Sequence, residues 1–375
     1  MQWKSACKPA VPGAVVSLDE LRKRNMNALV LSDYKQLKIE DLPVPVCRPR
    51  DVLIQVAACG ICGSDVHGYD GSTGRRIPPV VMGHEAAGIV AAVGAEVSAV
   101  APGDRVTFDS TVYCARCEFC LRGEANLCEN RQVVGVSCGE YRRAGAFAEY
   151  ITVPEYIIYQ LPPSLSFADA AMLEAVSVAL HAVKLSQIEG GETALVIGAG
   201  MIGLLVLQAA RVAGCSRVFV ADVDATRLEM AAALGAAETL HASGVDLTRE
   251  VLRLTNGRGV DVVLEAVGHT ETVATAIDCV RKGGAVTLIG NLVPQVSVPL
   301  QKIVTRQIRL QGSCASAGEY PEAIELVSSG KVKVAPMISA IAPLRDGPQW
   351  FERLYAHEPN LMKVILDPRE PGASR

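Results

Sequence analysis

The stretch VYCARCEFCLRGEANLCEN carries four cysteines, Cys114, Cys117, Cys120 and Cys128, in C-x2-C-x2-C-x7-C spacing. Four thiolates so placed can close tetrahedrally around one zinc ion. A site closed in that way keeps no position open for substrate or water. It holds a surface lobe together, and chemistry has to sit elsewhere. The competing readings are unpaired surface cysteines and a redox switch. A disulfide framework belongs to small exported chains, whereas these 375 residues, with 12 cysteines, show no export signal. Reduced thiols in a cytoplasmic compartment are the expectation.

Two other stretches offer groups for catalysis. CGICGSDVHGYD contains Cys62, Ser64 and His67, and VVMGHEAAGIV contains His84 and Glu85. A soft thiolate, an imidazole and a carboxylate suit a catalytic zinc that keeps one position open. Each fragment alone says little, since a lone histidine is usually a satisfied structural residue.

A third motif points to a nucleotide. GAGMIG places Gly198, Gly200 and Gly203 in G-x-G-x-x-G spacing, with Met201 and Ile202 between the last two. It follows the apolar run TALVI, opens an apolar-faced helical stretch, and has Asp222 about twenty residues further on, at the end of a second apolar strand. The glycines permit a tight turn, close approach of backbone to a pyrophosphate, and tight helix–strand packing. The helix N-terminus then turns its positive end to the phosphates. Asp222 is positioned to hydrogen-bond the adenosine ribose diol and to repel a 2′-phosphate, which predicts NAD over NADP. Arg227 lies near enough to act in the opposite sense. The bland alternative is a glycine-rich turn with no nucleotide.

The elements that must position these groups fall into two styles. From Ala28 to about Val153 the pattern is short strands punctuated by Gly and Pro. Around Ser166 helical spacing begins, with Ser166 and Asp169 as a cap region. The runs at TALVIG, RVFVADVD, VDVVLEAVG and GGAVTLIGN then alternate with helical stretches, which means βαβ units and a parallel sheet. After about Arg309 the chain becomes mixed again. Residues 1–25 precede the regular pattern that starts at Met26. They read as a loosely ordered extension, with organelle targeting as the alternative, since the run Ala14–Val16 is too short for a signal-peptide core. A net charge of −4 and 5% aromatics give no basic field or stacking platform for nucleic acid and no polybasic patch for a membrane. No apolar run approaches the roughly 20 residues of a membrane span.

Taken together, the chain resembles the zinc-containing medium-chain alcohol and polyol dehydrogenases, on the sorbitol dehydrogenase-like side. The pieces that carry the resemblance are GICGSDVH, PPVVMGHEAAGIVAAVGAEV, PGDRV, the four-cysteine lobe, GAGMIG and GEYPEAIELVSSGKV, in the family's order from Met26 onward. The resemblance implies an α/β fold: a Rossmann doubly wound parallel sheet (178–309) inserted in a GroES-like β-barrel catalytic domain (26–177 and 310–375). The active site is then expected in the interdomain cleft. It further implies two zinc ions per subunit, one catalytic and one structural, and NAD.

On the same resemblance Cys62 and His84 are catalytic zinc ligands, and Glu85 either ligates directly or exchanges with water. Glu174, in DAAMLEAVSVALHAV, stands where typical alcohol dehydrogenases place a third cysteine and sorbitol- and butanediol-type enzymes a glutamate. It either reaches zinc or holds a zinc-bound water. The proline that usually follows is Ala175 here, which leaves the subgroup open. Ser64 and His67 are implied as a proton relay, and Arg306 matches an arginine that lines the substrate cleft in sorbitol-type members. The implied reaction is hydride transfer from a polyol or secondary alcohol to NAD, giving a ketone. Alternatives are an L-threonine or sugar-phosphate (for example galactitol phosphate) dehydrogenase and, in another class, a non-catalytic nucleotide-binding protein. A homodimer or homotetramer is implied, with a small-molecule alcohol as substrate and neither nucleic acid nor membrane as partner.

Overall fold

In the computed structural model, which describes residues 18–21 and 23–369, the change of pattern near Ser166 is a change of architecture. Ahead of it, the strands Asn25–Asp33 and Gln36–Pro43 form an antiparallel pair. A larger sheet runs in the order Ile158–Gln160, Arg105–Phe108, Glu85–Val93, Asp51–Gly60, Lys363–Asp367 and Ile338–Pro343. Tyr150–Pro154 also pairs with Asp51–Gly60. The two ends of the chain thus meet in one sheet: Lys363–Asp367 lies antiparallel to Asp51–Gly60, with Ile365 opposite Gly60. Leu29, Ile54, Val56, Phe108, Phe147 and Leu366 are buried together as this domain's core.

Between those ends lies a six-stranded sheet, in the order Glu238–His241, Arg217–Asp222, Thr193–Ile197, Val260–Glu265, Val280–Leu288 and Arg309–Gly312. Every pairing in it is parallel. In chain order this is 3-2-1-4-5-6, the dinucleotide-binding arrangement. Successive side chains of a strand point to opposite faces. Val196, Val220 and Leu264 accordingly pack into one core with Leu204, while their neighbours Leu195, Phe219 and Val263 pack into another with Ile277. Both faces are covered, so these strands read as unbroken apolar runs.

Three expected boundaries move. Position 310 falls inside the strand Arg309–Gly312, which belongs to the parallel sheet; all four residues are exposed, so the strand lacks the apolar run of its neighbours. Position 177 falls inside the helix Leu173–Leu185, which packs on the helix Met201–Val212 and serves both domains. Of the extension expected at 1–25, residues 1–17 lie outside the described residues. Its end is folded: Leu21 is buried beside Met26, Val44 and Leu53, and the Arg24 carbonyl accepts from Val44 N at 3.1 Å. No described helix is long and apolar enough to cross a membrane.

Candidate functional site

Antiparallel pairing sets Gly60 opposite Glu85. The end of one strand and the start of the next therefore deliver Cys62 and His84 to one place. The donor atoms of Cys62, His84 and Glu85 all lie within 4.8 Å of one another. Cys62 is also the N-cap of the short helix Gly63–Gly68. Its sulfur accepts from Ser64 N at 3.4 Å, and Asp65 Oδ2 accepts from Cys62 N at 3.3 Å, a reciprocal capping box that fixes the thiol. His84 Nδ1 lies 3.6 Å from Asp65 Oδ1 but, like Glu85 Oε1, is buried without a hydrogen-bond partner.

The electrostatics fit a cation. Glu85 Oε1 is buried with no hydrogen-bond partner, which costs about 1–3 kcal/mol for such an atom. Burial pushes the Cys62 thiol up and the Glu174 carboxyl up to about 7. A metal ion held by these residues would satisfy the orphaned oxygen and favour the charged forms of all these groups. Glu174 occupies the first turn of Leu173–Leu185 and accepts from Ser110 Oγ at 3.5 Å. It feels the charges of His84 and Glu85 but falls outside the three-donor group.

Lys363 was not foreseen. It sits two residues before Ile365, and that register carries its ammonium to the same spot: it donates to Glu85 Oε2 and, at 3.0 Å, to the Ile61 carbonyl. Burial opposes its charge most strongly, but Glu85, Cys62 and Glu174 together outweigh it and its pKa is raised. Asp65 and Arg76 were also missed. The aspartate stands in plain view in the CGSD motif, but no sequence signal ties Arg76 to it. Ser64 Oγ donates to Cys62 Sγ at 3.3 Å and accepts from Arg76 Nη2 at 3.2 Å. His67 is exposed on the same helix, and no hydrogen bond links it to Ser64 among the described residues. Arg306 is not brought to this cleft, which corrects the expectation: its guanidinium donates to the Ile277 carbonyl at 2.8 Å and to that of Val280, inside the nucleotide domain.

The four sulfurs of Cys114, Cys117, Cys120 and Cys128 gather within 4.8 Å in a separate lobe. Cys128 Sγ accepts from the backbone N–H groups of Cys114 at 3.3 Å and Asn130 at 3.4 Å, contacts that suit a thiolate. A backbone N–H from Arg116 helps hold Cys114 down to about 6, while burial pushes Cys120 up to about 12. The eleven cysteines among the described residues are all free of disulfides. Asn126 ties the lobe to the body by donating to the Cys314 carbonyl at 2.7 Å.

In the glycine-rich turn, Gly198 has a φ of +95°, and a Cβ on Gly203 would strike the Gly198 carbonyl oxygen. Both positions therefore require glycine. The helix Met201–Val212 has Gly200 as its N-cap and no side-chain capping bond, so its first N–H groups are open to an anion. Met201 and Ile202 begin that helix. Asp222 braces the turn: Oδ2 accepts from Ala199 N at 2.5 Å and Oδ1 from Asp224 N at 2.9 Å. Arg227 pairs with Asp224 at 3.7 Å rather than with Asp222. It lines a cavity of about 390 Å³ that opens between the domains, walled on the other side by residues including Leu354, His357 and Met362. These residues fit a dinucleotide.

Residues 48–163 match the alcohol dehydrogenase GroES-like domain, and residues 202–329 match the zinc-binding dehydrogenase domain. The sorbitol dehydrogenase of Bacillus subtilis (strain 168) is 35% identical over 350 residues, covering 92% of this chain and 98% of that protein. The D-xylulose reductase A of Aspergillus oryzae is 35% identical over 338 residues, covering 88% and 93% respectively. A zinc-binding dehydrogenase of Sinorhizobium meliloti 1021, solved bound to NADP, superposes with a TM-score of 0.85 at 33% identity, covering 92% of this chain and all of that one. Likeness at this level over nearly the whole length settles the matter: the chain belongs to the zinc-containing medium-chain polyol dehydrogenase family.

Proposed function

We propose that the protein oxidises a polyol or secondary alcohol to a ketone and passes the hydride to NAD. One zinc is held by Cys62, His84 and Glu85, and a second by Cys114, Cys117, Cys120 and Cys128. The observation that carries this reading is the convergence of Cys62, His84 and Glu85 on one point, with the orphaned Glu85 oxygen among them. Zinc bound there supplies a Lewis acid that lowers the pKa of the substrate hydroxyl. Glu174, a buried carboxylate within electrostatic reach of His84 and Glu85, takes the proton. Ser64 Oγ donates its hydrogen bond to Cys62 Sγ, so it steadies the thiolate more than it relays. His67 is exposed on the same helix, where an imidazole can pass a proton on to solvent. The Gly198–Gly203 turn and Asp222 orient the cofactor, which supplies the redox chemistry.

NAD is favoured over NADP because Asp222 is pinned by two backbone N–H groups and presents a fixed negative charge where a 2′-phosphate would lie. The exposed edge strand Arg309–Gly312 supports pairing of copies into a homodimer or homotetramer. The test is metal analysis combined with reduction of NAD and NADP over a panel of polyols, secondary alcohols, L-threonine and sugar phosphates. Two zinc ions per chain and NAD reduction with a polyol are expected. A zinc-free chain without turnover would establish the non-catalytic alternative instead.

A further inference from the structure

Arg76 is a guanidinium at 2% exposure, in the segment between the helix Gly63–Gly68 and the strand Val80–Val81. It donates twice to Asp65 Oδ1, from Nη2 at 2.8 Å and from Nε at 3.1 Å, and Asp65 itself is fully buried. The same Nη2 donates to Ser64 Oγ at 3.2 Å, and Ser64 Oγ donates to Cys62 Sγ at 3.3 Å. The chain makes room for this: a Cβ on Gly68 would collide with the Arg76 side chain.

A buried ion pair is weak evidence for stability, because desolvation cancels most of its Coulomb gain. What this pair does beyond stability is geometric. A serine hydroxyl has one proton and can turn it in several directions. The Arg76 N–H occupies one side of Ser64 Oγ, so the hydroxyl proton cannot point there and goes to the Cys62 sulfur. Asp65 fixes the fork that does this. We infer that Arg76 is a positioning residue for the catalytic centre: it orients the Ser64 hydroxyl onto the Cys62 thiolate and so sets how much charge that thiolate donates to its metal. The inference rests on the metal reading proposed above. It assigns Arg76 no contact with substrate or cofactor.

Lysine at position 76 keeps the positive charge but lacks the planar fork needed to hold Asp65 and Ser64 together. The full chain is loaded with cadmium in place of zinc and examined by cadmium NMR. Wild type is expected to give two separate resonances, one from the tetrathiolate lobe and one from the one-thiolate site. Arg76→Lys should move the one-thiolate resonance and leave the tetrathiolate resonance in place, which also reports that the chain is folded. Ser64→Ala should move the same resonance. Since Arg76 acts through Ser64, adding Arg76→Lys to Ser64→Ala should shift it much less than Arg76→Lys does alone. An equal shift in both backgrounds, or a one-thiolate resonance unmoved by either single change, overturns the inference. If Arg76→Lys does not fold, Arg76→Gln is read by the same outcomes, and an unmoved resonance in Ser64→Ala overturns the inference by itself. A wild-type spectrum with only the tetrathiolate resonance overturns the metal reading, and this inference with it.

Discussion

Lys363 and Glu85 are joined by a hydrogen-bonded ion pair across 278 residues of chain, with side-chain exposures of 1% and 0%. Two strand pairings bring them together: Glu85 lies opposite Gly60 on one side of the strand Asp51–Gly60, and Ile365 lies opposite the same Gly60 on the other. Removing one partner leaves a lone buried charge. Lys363→Met is therefore expected to lower unfolding stability by about 3–5 kcal/mol in the zinc-free chain. The loss should shrink with zinc bound, because the ion then neutralises Glu85, and it should shrink in the Lys363→Met/Glu85→Gln double variant. Denaturant titrations of the four proteins check this; strictly additive losses would show that the two residues do not act as a pair.

Cys117→Ser should separate the two metal centres. The four-cysteine lobe is closed and is held to the body by Asn126, away from Cys62 and His84. The variant is expected to lose one zinc per chain and to melt at lower temperature, while the folded fraction keeps near-normal kcat. Cys62→Ser should do the reverse. A Cys117→Ser protein of unchanged melting temperature and abolished turnover would place chemistry in the lobe.

Asp222→Ser should weaken NAD and relax the choice of cofactor. A charge-assisted hydrogen bond is worth about 1.5–3 kcal/mol, so the KM for NAD should rise roughly 10- to 100-fold. The ratio of kcat/KM for NAD over NADP should fall with it, because the carboxylate that faces a 2′-phosphate is gone. Serine also loses the two braces to Ala199 and Asp224, which acts on both cofactors alike and leaves the ratio as the informative quantity. An unchanged ratio would remove Asp222 from discrimination.

Asp109 gives a pH prediction. Burial raises its carboxyl to about 6, against hydrogen bonds from Thr111 that pull the other way. Its folded pKa thus lies above the unfolded value of about 3.9. Between those two values the folded chain holds more protons than the unfolded one, so stability falls as pH rises through the window. By neutral pH the ionised group has cost up to about 3 kcal/mol. Asp109→Asn still offers an oxygen to the Thr111 N–H and never ionises. It should stabilise the protein at about pH 7 and have little effect below about pH 4. Melting curves across that range check it, and a gain that is the same at both ends would exclude the linkage.

What could be read from the residues in order was largely local. The lobe, the GAGMIG turn with Asp222, and the ligands in CGSDVH and GHE are each contained in a short run whose spacing constrains geometry. Lys363 and Arg76 carry no such mark, because their roles come from register and burial, not from neighbours in sequence. Arg306 was misplaced for a related reason: the fragment VTRQIRLQG does not reveal that residues 277 and 280 offer it carbonyls. The strand Arg309–Gly312 was missed because it is an exposed sheet edge and lacks the apolar run of its buried neighbours.

Glu174 is where the sequence left two roles open, as a zinc ligand or as the holder of a water. We propose that it is not a ligand but acts beside the metal centre. Cys62, His84 and Glu85 form a three-donor group that Glu174 does not enter, and its Oε1 is 3.5 Å from Ser110 Oγ instead. A ligand lost from a metal centre takes the metal with it or weakens its hold; a proton acceptor lost beside the centre leaves the metal and slows the reaction. Glu174→Gln keeps the size and the acceptor oxygen but removes the basic carboxylate. It is expected to retain the wild-type zinc content after dialysis against a chelator, while kcat falls about 10²- to 10⁴-fold, the range for loss of a general base. Glu85→Gln, measured alongside, should lose zinc under the same dialysis. Zinc lost from Glu174→Gln as readily as from Glu85→Gln would make Glu174 a ligand and pass the proton-accepting role back to Ser64.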